Sequence, residues 1–114
     1  MHELAITEGL VKIALDTAQH HNAKKVSEMH IAMGELSTYV PECVQEYFAM
    51  LAEDTPAEEC RLVFRTVEAR CRCTACGKEF RPAHLSFACP DCGSYKTDIL
   101  EGKELFVENL EIET

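Results

Sequence analysis

The sequence predicts an α+β (α/β two-layer) domain, in which two helices cover a small mixed β-sheet and a four-cysteine subdomain is inserted late in the chain. Three observations predict it. Two segments carry apolar residues at helical spacing, three shorter runs read as strands by alternation or by branched and aromatic content, and two matching CxxCG knuckles lie between the last two runs. A chain of 114 residues has room for one domain with such an insert and little else.

Residues 3–21 have the pattern of an amphipathic helix. Leu4, Leu10, Val11, Ala14, Leu15 and Ala18 share one broad face, and Glu8, Lys12, Asp16 and Gln19 fall opposite. The polar stretch HHNAKK ends it. VSEMHIAMG then alternates, with Met29, Ile31 and Met33 on one side and Glu28 and His30 on the other, as in a half-buried strand closed by Gly34. STYVPECVQEYFAMLAED restarts a helix. Pro41 suits its first turn because a missing N–H costs nothing there, and Glu42 suits the positive end of the helix dipole. Val44, Tyr47, Phe48 and Leu51 form its apolar stripe, and Pro56 with AEE makes a turn or short helical step. CRLVFRTVEAR and KELFVENLEIE read as the second and third strands.

Between those strands the composition turns abruptly to Cys, Gly, Pro and short polar runs. The reading divides the chain into residues 1–69 with 101–114 as an α/β domain and residues 70–100 as a metal-binding subdomain. Cys73-Thr-Ala-Cys76-Gly and Cys89-Pro-Asp-Cys92-Gly are separated by twelve residues, slightly fewer than in the commonest two-pair pattern but ample for a hairpin. Two thiolates two residues apart can bend onto one cation, and the following glycine lets the chain leave with positive φ. Two such corners give tetrahedral sulfur ligation, which suits Zn²⁺ at about 2.3 Å. Seven cysteines in a chain with no apparent export signal favour metal over disulfides. Buried thiols or a redox pair are the alternatives, but neither predicts a repeated CxxCG.

All four zinc positions, Cys73, Cys76, Cys89 and Cys92, are then filled by protein. A closed site is structural, and a zinc-ribbon-like segment of about thirty residues needs the metal to fold. Binding energies on the order of 10–16 kcal/mol in finger peptides are sufficient. Cys71 can act as a substitute ligand or as a buried thiol, and Cys43 and Cys60 read as core residues.

The amino terminus poses a second question. His2 places an imidazole beside the Met1 amine, with the amide nitrogens of His2 and Glu3 between them. Deprotonated amides, amine and imidazole in one plane suit Ni²⁺ or Cu²⁺, and Glu3 can add its amide, its carboxylate, or both. Methionine is generally retained before a bulky second residue, so the amine survives. Taken alone, the motif is weak, and His2 reads as a solvent-exposed residue at a helix start.

The combination is more specific. MHE at the terminus, GELS and a proline after the first strand, CxxCG with CPxCG, and the closing KELFVENLEIE together resemble the HypA/HybF family of hydrogenase-maturation nickel metallochaperones, over essentially the whole chain. The resemblance implies transported Ni(II) at Met1, His2 and Glu3, and structural Zn(II) at Cys73, Cys76, Cys89 and Cys92. It implies delivery to the [NiFe]-hydrogenase large subunit with the GTPase HypB as partner, and for some members a link to urease maturation proteins. Cys71 has no counterpart in the four-cysteine pattern. His84, inside the insert, is a candidate further nickel ligand, whereas His20, His21 and His30 are read as solvated or polar-face residues.

Eleven basic against twenty acidic residues give a net charge of −9, a poor balance for binding phosphates nonspecifically. The expected partners therefore include no nucleic acid. With no apolar run near the roughly 20 residues of a membrane helix, and no signal pattern at the start, the chain is expected to be cytoplasmic and away from membranes. The rival reading is a zinc-ribbon adaptor for protein or nucleic acid, drawing on Arg70, Arg72, Lys78, Arg81 and Lys96. No nucleophile elbow, phosphate-cradling loop or open zinc position speaks for an enzyme.

Overall fold

A computed structural model describes residues 3–82 and 86–114. Its elements run α1 (Glu3–His20), β1 (Lys25–Gly34), α2 (Pro41–Leu51), β2 (Arg61–Val67), β3 (Arg70–Cys73), β4 (Glu79–Phe80), β5 (Thr97–Glu101) and β6 (Leu105–Glu113). They form two three-stranded sheets, ordered β2-β1-β6 and β4-β3-β5.

The first sheet is mixed. Arg61 pairs with Glu28 at one end of β1, and Glu35 N–H donates to Val67 at the other, so β1 and β2 run parallel with α2 as their crossover. Lys24 N–H donates to Glu113 and Gly34 N–H to Glu104, so β6 runs antiparallel to β1. The residue numbers of those two pairs differ in sum by one, which marks a one-residue register shift along the ladder.

The chain separates into two compact units. One contains the chain through Ile31, Thr38–Arg65 and Phe106–Thr114, and the other Ala32–Ser37 and Thr66–Leu105. In the first, Phe48, Met29, Ile31, Val26 and Val44 are fully buried. The buried stripe of α1 is Glu3, Thr7, Leu10, Val11, Ala14 and Ala18. Leu4, expected inside, is 45% exposed. At about 100° per residue it lies on the flank of the face that Thr7 and Ala14 centre. Pro41 opens α2 as expected, after a Val40 cap with extended backbone and no side-chain cap bond. The stripe of α2 narrows to Val44 and Phe48, because the helix stops at Leu51 and Ala52 carries the burial onward.

The expected strand CRLVFRTVEAR, which begins in the first unit and ends in the second, is broken. β2 ends at Val67, Glu68 and Ala69 intervene, and β3 starts at Arg70 in the other sheet. β3 pairs antiparallel with β4 (Cys71 opposite Phe80) and with β5 (Cys73 opposite Thr97). The break is fixed by two close backbone approaches. A Cβ on Gly34 would stand 2.1 Å from the Gly102 carbonyl oxygen, and one on Gly102, whose φ is +104°, would meet Ala69 at 2.5 Å. No helix among the described residues is long and apolar enough to cross a membrane.

Candidate metal centres

β3 delivers Cys73, the turn after it delivers Cys76, and the segment before β5 supplies Cys89 and Cys92. The two knuckles repeat one backbone pattern. Gly77 N–H donates to the Cys73 carbonyl and Gly93 N–H to that of Cys89, at 2.9 and 2.8 Å. Cys73 N–H donates to Lys78 and Cys89 N–H to Ser94. Gly77 and Gly93 both take positive φ, +81° and +73°, the conformation anticipated for the residue after each second cysteine.

These turns bring four sulfurs within 4.8 Å of one another. Cys73 Sγ lies 3.5 Å from Cys92 Sγ, and Cys76 Sγ lies 3.6 Å from Cys89 Sγ. A tetrahedron with Zn–S of about 2.3 Å has edges of about 3.8 Å, so the thiols present fit zinc. Cys73 and Cys89 are buried, Cys76 and Cys92 exposed. The Cys73 thiol is lowered to about 7, chiefly because the Cys76 N–H points at its sulfur. At Cys76 the Lys78 N–H pulls the same way, but the neighbouring thiols, Cys89 first, push the group up to about 12. Sulfurs this close resist ionising together, and a divalent cation relieves that conflict.

Cys71 stays outside the cluster. It is fully buried in β3, and burial pushes its thiol up from the ordinary value. Cys60 is likewise buried and pushed up to about 11 by desolvation, while Cys43 is half-buried. Both suit packing rather than ligation.

At the amino-terminal candidate, Met1 and His2 lie outside the described residues, as does His84. Glu3 is described. It is buried, and its Oε2 accepts a hydrogen bond from the Val40 N–H at 3.0 Å, tying the start of α1 to the start of α2. The Thr7 hydroxyl donates to the Glu3 carbonyl. The positive charge at the chain start, followed by the Val40 N–H, holds the Glu3 carboxyl at about 2. It is a carboxylate at any ordinary pH.

Three of the five basic residues that kept nucleic acid in view pair with carboxylates. Arg70 pairs with Glu79 and Glu101, Lys78 with Asp91, and Arg81 with Glu35 and Glu68.

Residue order alone missed one cluster. Glu28, His30 and Glu111 bring their ligand atoms within 4.8 Å of one another. Strand alternation put Glu28 and His30 together, but nothing local announced Glu111 from the far end of the chain.

Comparison with known proteins agrees with this geometry. The family described as "Hydrogenase/urease nickel incorporation, metallochaperone, hypA" matches residues 1–112. The hydrogenase maturation factor HypA of Caldanaerobacter subterraneus subsp. tengcongensis is 40% identical over 114 residues, covering 99% of this chain and all of the relative. That of Aquifex aeolicus is 34% identical over 113 residues, covering 99% and 98%. The solution structure of the Ni metallochaperone HypA from Helicobacter pylori has the same fold, with a TM-score of 0.73 at 23% identity over 99% of this chain and 98% of that one.

Proposed function

The chain belongs to the HypA family, and from that premise we propose that it is a nickel metallochaperone of hydrogenase maturation that carries Ni²⁺ on its own amino terminus. The family is one of carriers, not enzymes. Met1, His2 and Glu3 are the nickel ligands in this reading, and Cys73, Cys76, Cys89 and Cys92 hold a structural zinc. Residues 1–69 with 101–114 handle the cargo, and residues 70–100 form the zinc-bound part. The cargo passes to the [NiFe]-hydrogenase large subunit, with the GTPase HypB as working partner and urease maturation proteins as further recipients, in the cytoplasm.

One observation supports the terminal site above the others. The family match reaches residue 1, and Glu3 is anchored by the Val40 N–H instead of trailing in solvent. Ligands at the chain start thus adjoin an ordered helix. Amine and amide nitrogens in a plane favour Ni²⁺ over Fe²⁺ and Co²⁺. Binding releases protons from the amine and amides, so a fall in pH or a competing ligand set loosens the ion. Those are the properties of a site that must surrender what it holds.

The test is a comparison of chains with free and blocked termini. The native chain binds about one Ni²⁺ beyond its zinc by equilibrium dialysis with metal analysis. Extension by one residue, acetylation of Met1 or His2→Ala removes that nickel and leaves the zinc. Equal nickel in blocked and native chains overturns the terminal chelate.

A further inference from the structure

We propose that Glu28, His30 and Glu111 form a second divalent-cation site, separate from the chain start and from the cysteines, that takes a first-row ion such as Ni²⁺ in a nitrogen and oxygen set completed by water. All three residues belong to the helical unit. Glu28 and His30 project from β1 two residues apart, so alternation puts them on one face, and β6 brings Glu111 to the same place. The Ser27 hydroxyl donates to the Glu111 carbonyl at 3.1 Å and stitches the two strands together there.

The donor spacing suits an ion. His30 Nε2 and Glu28 Oε1 are 2.8 Å apart. Donors at about 2.0–2.1 Å from a cation subtend an edge of about 2.9 Å at 90° and about 3.4 Å at the tetrahedral angle. The observed edge is also that of an ordinary hydrogen bond; it shows two donors already converged to a spacing that one ion can span, and the mixed imidazole and carboxylate set is one that first-row divalent ions take. The remaining Glu28 oxygen, Oε2, accepts from Arg61 at 2.9 Å, which fixes the carboxylate and turns Oε1 toward the imidazole. A ligating carboxylate steadied through its second oxygen is a recurrent feature of metal sites.

Charge allows entry. Two carboxylates against one guanidinium leave the cluster negative, on a chain whose net charge is −9. Side-chain exposures of 22% for Glu28 and 32% for His30 leave the donors half-covered yet reachable. On binding, the imidazole takes the neutral tautomer with its proton on Nδ1, Nε2 and Oε1 bond the ion, Glu111 adds a carboxylate oxygen, and water fills the remaining positions.

The chelate of the previous section need not exist for this site to exist, and the test keeps them apart. The zinc-loaded full chain carrying His2→Ala, which removes the terminal imidazole, is titrated with Ni²⁺ alone and followed by NMR. Six-coordinate Ni²⁺ in nitrogen and oxygen ligation is paramagnetic, whereas a square-planar amide chelate is diamagnetic, so the two sites give different signatures. Expected is selective broadening of Glu28, His30 and Glu111 resonances, with apparent affinity falling about tenfold or more in His30→Ala. Glu111→Gln, on an exposed strand position where folding is not at stake, weakens binding in the same direction. Broadening that starts at His20 and His21 instead, or affinity unchanged in both variants, overturns the site.

Discussion

Around α1 and α2 the largest fully buried side chains are Phe48, Met29, Ile31, Val26 and Val44, whereas in the unit that carries the knuckles they are Cys71 and Cys73. The first unit has the hydrocarbon to fold by burial, at roughly 1.5–3 kcal/mol for each large side chain. The second has alanine, glycine and sulfur, with three short strands between them. A cation held by its four sulfurs would supply the folding energy that its small core does not. One chain thus contains two solutions to the same stability problem, and they respond to different insults.

The largest effect that would sharpen this contrast is removal of zinc. A strong chelator, or Cys76→Ser with Cys92→Ser at the exposed positions, should abolish amide-exchange protection in β3, β4 and β5 while the α1 and α2 amides stay protected. The metal contribution at stake is on the order of 10 kcal/mol. Loss of both regions together would break the comparison. The converse change is Phe48→Ala, expected to cost about 3–5 kcal/mol by denaturant unfolding of the helical unit, with zinc content of the folded protein unchanged.

A smaller effect comes from Gly34→Ala. The new Cβ meets the Gly102 carbonyl, a backbone atom that cannot swing aside, so about 1–3 kcal/mol is lost from the cysteine unit. Least of all, Cys71→Ala should cost about 1 kcal/mol and leave zinc stoichiometry at one per chain by metal analysis. A drop in zinc would place Cys71 among the ligands after all.

Much of this architecture was readable beforehand because its signals are local. Pro41 opening α2, Gly34 ending β1 and the repeated CxxCG each depend on residues a few positions apart. The second sheet was not readable. Arg70–Cys73 alternates charged with sulfur-bearing side chains, β4 is two residues long, and Thr97–Glu101 is as polar as a loop. Those strands are defined by their pairing with one another, which no local propensity records. The inward turn of Thr7 and the outward turn of Leu4 depend on where α2 lies. Glu111 joins Glu28 and His30 only across the pairing of the first strand with the last. The repeated CxxCG named all four cysteines that come together, while the terminal triad rests on the chain's likeness to its relatives.

The uneven coverage of the four sulfurs gives the cluster a front and a back. Cys76 and Cys92 face solvent, while Cys73 and Cys89 are closed off behind them. Any oxidant, alkylating reagent or rival thiol must arrive from the open side and meets those two first. Chemical damage to the cluster would therefore have a fixed sequence, with the inner pair still intact when the outer pair has already reacted.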